Sequence, residues 1–458
     1  MEYNDFLKTK YITTHSSGFE VERESINNML FDYQADIVKW SLKKGKAAIW
    51  ADCGLGKTPM QLEFAKQVYE YTGDNVLILA PLAVSHQTVR EGDKFGIKVK
   101  YCRQQSEVEN GVTITNYEMI EHFEADKFSG IVLDESSILK SFDSKYKQLI
   151  IDTFRDTPYK LACSATPAPN DYVELGNHSE FLNIMSRTEM LATYFVHDGG
   201  DTSKWRLKGH AESKFWEWVA SWAVVITKPS DLGYSDEGFK LPKLNMHEIL
   251  VKSPISTTDG QISLIPTLAQ TLTDRRDARR NSIDNRVNAA VELINDEQWL
   301  IWCDLNVESE MLKKSIEGSV EVKGSDKDSH KEQSAISFSK GELKYMVSKP
   351  SLFGMGLNFQ SCHNMIFVGL SDSYEQLYQA IRRCWRFGQT KDVNVYIITS
   401  EAEGAVKANI ERKEKESASM INEMIQHTQK ILTEEIHGSI RESIEYNPQI
   451  QMKLPKWI

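Results

Sequence analysis

The sequence predicts an α/β protein built as two domains in tandem, and three observations carry that reading. Short apolar runs alternate with helix-length segments between residues 30 and 170, and the same alternation starts again at residue 298. The chain has 458 residues, more than one ordinary core organises.

The first set of runs is "KAAIWA" (46–51), "NVLILA" (75–80), "VTIT" (112–115), "GIVLDE" (130–135) and "YKLACSAT" (159–166). They are continuous rather than alternating, as strands buried on both faces of a parallel sheet require. The second set is "QWLIWCDL" (298–305), "SVEVKGS" (319–325), "LKYMVSKP" (343–350), "HNMIFVGL" (363–370) and "VNVYIITS" (393–400). In "KFWEWVASWAVVI" (214–226), Phe215, Trp218, Val219 and Trp222 fall on one helix face and predict a core helix. "TDRRDARRNSIDNRVNAAVELIND" (273–296) reads as a long amphipathic helix. Its Arg275, Arg276, Arg279 and Arg280 alternate with Asp274 and Asp277, the pattern of a solvated face. After residue 400 the stripe Ile421, Met424, Ile425, Thr428, Ile431 and Leu432 predicts a helix packed on its own protein. The expected organisation is an N-terminal extension (1–29), a first α/β domain (30–199), a helical insertion and linker (200–272), a second α/β domain (273–400) and a helical C-terminal tail (401–458).

A hydrophobic share of 41% with 26% charged residues fits a folded globular chain. The six cysteines occur singly, with no CxxC pair, which argues for reduced thiols and against disulfides or a zinc site. The N-terminus is polar, and no apolar run reaches the roughly 18 residues a membrane helix needs, so a cytoplasmic protein with no membrane contact is expected. A net charge of −11 confines any nucleic-acid contact to a local groove.

"ADCGLGKT" (51–58) follows a strand and opens a helix, and it departs from the phosphate-binding pattern only in Ala51 for the first glycine. Gly54, Leu55 and Gly56 form the turn whose backbone N–H groups face phosphate oxygens. Lys57 brings an ammonium to the β- and γ-phosphates, and the Thr58 hydroxyl can ligate Mg²⁺. "GIVLDE" ends its strand in two carboxylates. Asp134 would hold Mg²⁺, and Glu135 would orient and deprotonate the attacking water. ATP and Mg²⁺ are therefore the expected ligands.

With those residues in place, the ordered series of motifs resembles helicase superfamily two, and within it the Snf-type DNA translocases. The resemblance lies in "LFDYQADIVKW" (30–40), "LAPLAVSHQ" (79–87), "ITNYEM" (114–119), "DESSILKS" (134–141), "SATPAPNDYVEL" (164–175), "FGMGLNFQSCHNMIFV" (353–368) and "QAIRRCWRFGQTKDVNVYII" (379–398). It implies two RecA-like P-loop domains with ATP in the cleft between them. By this resemblance Gln34 reads adenine, Gln379 belongs to the catalytic set, and Arg383 and Arg386 stabilise the γ-phosphoryl from the second domain. Arg382 receives no role, and Trp385 packs. Ser85, Thr115, Asn116 and Thr166 in the first domain, with Gly324, Ser348 and Lys349 in the second, are the candidate nucleic-acid contacts. Gly388 and Gln389 favour the Snf-type branch over RNA-directed relatives, and the short chain resembles compact bacteriophage or mobile-element members. The implied activity is an ATP-dependent translocase or helicase on double-stranded or branched DNA, alongside replication, recombination or defence proteins. An RNA helicase and a nucleotide-gated clamp are the alternatives. Ser136 and Ser137 stand where the family usually has Ala-His, and Phe353 where it has glycine.

Overall fold

The computed structural model of the chain describes residues 16–140, 145–168, 171–198, 201–252, 257–258, 261–262, 280–353, 358–371, 373–401 and 404–436. Arg275, Arg276 and Arg279, residues 354–357 of the glycine-bearing segment, and the chain from 437 onward lie outside the described residues.

In the first domain α1 (Asp32–Lys44) leads into β1 (Lys46–Ala51), followed by α2 (Lys57–Thr72), β2 (Asn75–Ala80), α3 (Leu82–Lys94), β3 (Val99–Tyr101), β4 (Val112–Asn116), β5 (Phe128–Asp134), α4 (Lys145–Thr153) and β6 (Tyr159–Ser164). Helices α5 (Leu175–Phe181) and α6 (Arg187–Tyr194), an antiparallel hairpin of β7 (Phe195–Asp198) and β8 (Asp201–Leu207), and α7 (Glu212–Ala220) come next. Strand β9 (Ala223–Ile226) then returns to the sheet beside β1. The sheet runs β3-β4-β2-β5-β6-β1-β9, parallel throughout. Its strands are buried on both faces, as their unbroken apolar runs require.

The second domain contains β10 (Leu244–Val251), the short hairpin β11 (Thr257–Thr258) and β12 (Gln261–Ile262), α8 (Ile283–Leu293), β13 (Trp299–Cys303), α9 (Asn306–Ser315), β14 (Val320–Glu321), α10 (Asp328–Ser339), β15 (Tyr345–Ser348), α11 (Pro350–Phe353), β16 (Asn364–Val368), α12 (Tyr374–Ile381) and β17 (Val393–Ser400). Its main sheet, also parallel, runs β10-β17-β16-β13-β15-β14. The two sheets make the chain a tandem of RecA-like domains. The stretch 200–272 supplies more than helix: β9 completes the first sheet and β10 the second.

Phe215, Trp218 and Trp222 are buried in the first domain's core, as their helical spacing predicts. The tail is α13 (Gly404–Ile436), 33 residues and so about 50 Å long. Val406 and Ile410 pack into the second domain's core, whereas Met424 and Leu432 pack into the first. The expected stripe therefore packs on its own protein, and the one helix spans both domains. Trp40 Nε1 donates to Glu435 Oε2 (2.8 Å), and His427 stacks on Trp216 with ring centroids 5.7 Å apart.

Candidate active site between the domains

In a parallel α/β sheet the carboxyl ends of the strands carry the ligand, and both acidic and phosphate-binding segments lie there. β1 ends at Ala51 and the chain turns into α2 through Gly54 (φ +90°) and Gly56 (φ +77°), a left-handed conformation that glycine adopts without strain. A Cβ on Gly56 would stand 2.2 Å from Gln34 Nε2, and one on Gly54 would stand 2.9 Å from the backbone nitrogen of Phe387. The loop is thus clasped by the N-terminal motif on one side and by the second domain on the other. Gln34 Nε2 donates to Leu55 O (3.0 Å), and its Oε1 accepts from Phe31 N–H (3.0 Å), so this amide braces the loop. Leu55 itself is buried. Lys57 Nζ donates to Ala51 O at 2.9 Å.

β5 delivers Asp134 and Glu135. Glu135 has φ +55°, a costly conformation for a residue with a side chain and one that clusters at functional sites. Gln61, one turn beyond Thr58 on α2, donates to Asp134 Oδ1 (2.8 Å), and the Tyr117 hydroxyl donates to Asp134 O (2.6 Å). Burial raises the pKa of both carboxyls. The Gln61 hydrogen bond, Lys57 and Arg383 pull Asp134 back down; Lys57 and Arg383 do the same for Glu135, while Asp134 and Glu375 push it up. Glu135 Oε2 is buried and has no hydrogen-bond partner among the described residues. Together with the Thr58 hydroxyl and Asp134, that open acceptor suits a site completed by Mg²⁺, a polyphosphate and water. No cluster of three or more His, Cys, Asp or Glu suited to a metal occurs among the described residues.

A cavity of about 300 Å³ joins these parts. Gln34, Gly54, Gly56, Lys57, Thr58, Asp134 and Glu135 line it from the first domain, and Arg383 and Arg386 line it from the second. Burial, followed by the like charge of Arg383, brings the Arg386 guanidinium down to about 10, which leaves it charged at neutral pH. Phe31, Phe239 and Phe387 meet at one end of the cavity, with Phe239 and Phe387 ring centroids 4.9 Å apart. Neither Phe239 nor Phe387 carries a sequence signal of its own: Phe387 stands at a variable position between fixed motif letters, and Phe239 lies outside any motif.

Gln379 is buried outside this cavity, with Nε2 3.5 Å from Glu375 Oε1. Glu375 is a junction that the sequence did not disclose. Its carboxylate forms an ion pair with Lys140 and accepts a hydrogen bond from Thr166 Oγ1 (3.2 Å), tying α12 to the two segments that follow β5 and β6. Ser136, in place of the family's usual alanine, lies 3.1 Å from His178 Nε2. Burial lowers that imidazole to about 4, so it is neutral at physiological pH.

A second interdomain cavity, about 530 Å³, lies between His86, Tyr117 and Glu118 of the first domain and Lys331, Ser351 and Phe353 of the second. Glu135 lines both cavities. None of the seven candidate nucleic-acid residues lines it. Ser85, Thr115 and Ser348 are fully buried, Asn116 donates to Glu118 Oε2 (2.5 Å), Thr166 is occupied with Glu375, Gly324 is exposed and Lys349 is half-buried. Five of the six cysteines are buried free thiols, and Cys53 is half-buried in the nucleotide cavity wall.

Residues 19–169 match the family model described as type III restriction enzyme, res subunit, and residues 285–388 match the helicase conserved C-terminal domain. Each of the two α/β domains thus carries one of the two family matches. No curated protein matches it. Among solved structures, it is similar to the Sulfolobus solfataricus SWI2/SNF2 ATPase core in complex with dsDNA, at 16% identity and a TM-score of 0.43, over 91% of this chain and 99% of that one. The helicase domain matches place the P-loop and Asp134–Glu135 in one domain and the paired arginines in the other, the division seen in the cavity. No helix among the described residues is long and apolar enough to cross a membrane.

Proposed function

We propose that this protein is an ATP-driven motor that moves on double-stranded or branched DNA, with Lys57, Thr58, Asp134 and Glu135 working against Arg383 and Arg386 across the interdomain cavity. The observation that carries this reading is the lining of that cavity: phosphate-binding loop, acidic pair and both arginines face one space. Lys57 and the glycine turn would bind the triphosphate, and Thr58 and Asp134 would hold Mg²⁺. Bound Mg²⁺ neutralises charge on the β- and γ-phosphates. Glu135 Oε2 would accept the proton of the attacking water, and the arginines would stabilise the charge that develops on the γ-phosphoryl oxygens. Gln34 would sit at the adenine end beside Phe31.

Movement follows if the domains close on ATP and reopen after hydrolysis. The Lys140–Glu375–Thr166 junction supports such coupling, because it links the segments after β5 and β6 to α12. The larger cavity, which meets the first at Glu135, is the proposed nucleic-acid groove. The Gly388–Gln389 pair supports a Snf-type assignment, acting in the cytoplasm with replication, recombination or defence proteins. Steady-state ATPase measured with duplex DNA, single strands and RNA tests the proposal. Stimulation by duplex or branched DNA is expected; stimulation by RNA alone would make it an RNA helicase, and DNA binding without turnover a clamp.

A further inference from the structure

Arg382 is the arginine of "QAIRRCWRFGQ" to which the motif assigns nothing, yet it contacts the phosphate-binding loop of the other domain. Its guanidinium forms an ion pair with Asp52, the residue that starts the phosphate-binding loop, and both side chains are nearly buried (7% and 12% exposed). The Tyr378 hydroxyl donates to the other carboxylate oxygen of Asp52. That same oxygen accepts from the N–H of Cys53 at 2.6 Å, so the carboxylate also sets the first turn of the loop. On its own side Arg382 lies over the Trp385 ring (4.7 Å to the centroid) and the Tyr378 ring (5.4 Å), a packing that fixes the planar group.

We propose that Asp52, Arg382 and Tyr378 are positioning residues that fasten the phosphate-binding loop to the arginine-bearing turn of the second domain. The inference rests on the proposed hydrolysis at this cavity. Arg383 and Arg386 follow Arg382 by one and four residues, so the latch holds their segment in register with the loop before the γ-phosphate contributes anything. It has a second consequence. Asp52 places a negative charge at the start of a site for a polyanion, and Arg382 neutralises it.

These two roles separate in kinetics. Arg382→Gln leaves Asp52 uncompensated, so it should weaken MgATP binding by about tenfold and lower kcat as well. Asp52→Asn removes the latch and the repulsion together, so kcat should fall by about tenfold while affinity stays equal or rises. The double variant should recover wild-type affinity but not kcat. The test uses the full-length protein, with DNA-stimulated ATPase for kcat and equilibrium binding of a fluorescent ATP analogue for affinity. A double variant that binds no better than Arg382→Gln would overturn the proposal, as would single variants with wild-type kcat and affinity. Should Arg382→Gln not fold, Tyr378→Phe, which removes one hydroxyl, carries the test: kcat should fall about fivefold at constant affinity, and an unchanged kcat overturns the latch. If the wild-type protein does not hydrolyse ATP, the reading of the cavity fails, and the order of nucleotide affinities across the three Asp52 and Arg382 variants still decides whether Arg382 compensates Asp52.

Discussion

Two of the buried groups of charge in this molecule are completed in different ways. Inside the second domain, Arg286 and Glu308 pair at 2.6 Å with both side chains fully buried. Arg286 also donates to Val368 O (2.9 Å) and Ser282 Oγ (3.0 Å), while Glu308 accepts from the N–H groups of Asp304 and Leu305 at 2.9 Å. That pair carries its own counter-charge within one domain, although Glu308 Oε1 makes the ion pair without a hydrogen bond among the described residues. In the cleft, Asp134 and Glu135 are also buried, but they line a cavity side by side with like charge, and Glu135 Oε2 lacks a hydrogen-bond partner among the described residues. A buried charge neutralised by an opposite charge from its own domain holds structure; two adjacent carboxylates that line a cavity are set up to receive a cation or proton from a ligand.

Substitutions can break this contrast. Glu135→Gln keeps the shape and removes the charge, so DNA-stimulated turnover should fall by roughly 10²–10⁴ while ATP binding persists, as single-turnover and binding assays would show. The same variant should be more stable, not less. A carboxyl whose folded pKa is raised binds its proton more tightly in the folded state, so ionisation at neutral pH costs stability. Glu135→Gln should therefore melt above wild type at pH 7, and the gap should close as pH falls to the ordinary carboxylate range, where both folded and unfolded Glu135 are protonated. Arg286→Met should do the opposite. It strands Glu308 in the core and should cost about 3–5 kcal/mol, read by denaturant unfolding, with the turnover of the remaining folded protein unchanged. The smallest effect concerns pH: burial raises Glu135, so the acid limb of kcat should lie above the usual 4.5, with activity lost as pH drops through it. A limb at or below 4.5 would mean that Glu135 is not the base.

The sequence made the first half of this site readable because its signals are local. The glycine turn, Lys57 and Thr58 lie within a few residues, and β1, β2 and β17 coincide with their apolar runs to the residue. What it hid is long-range or unpatterned. Thr166 and Glu375 are 209 residues apart and Asp52 and Arg382 are 330 apart, so no spacing rule connects them. β9 follows the tryptophan-rich α7 so closely that its four residues read as the end of the helix. β10 is an edge strand with Met246 and Leu250 exposed, and it lacks the unbroken apolar run of the buried strands. Of the expected nucleic-acid contacts, Thr115 and Ser348 sit at strand ends inside a packed sheet and Ser85 in the first turns of α3, and all three side chains turn inward.

The central claim is that the active site is composite and is completed by arginines from the second domain. Arg386→Ala tests it most directly, with nucleotide affinity and DNA-stimulated turnover measured on the same preparation. Affinity should stay within about threefold of wild type while turnover falls by roughly 10³–10⁵. Turnover at the wild-type rate in that variant would contradict it.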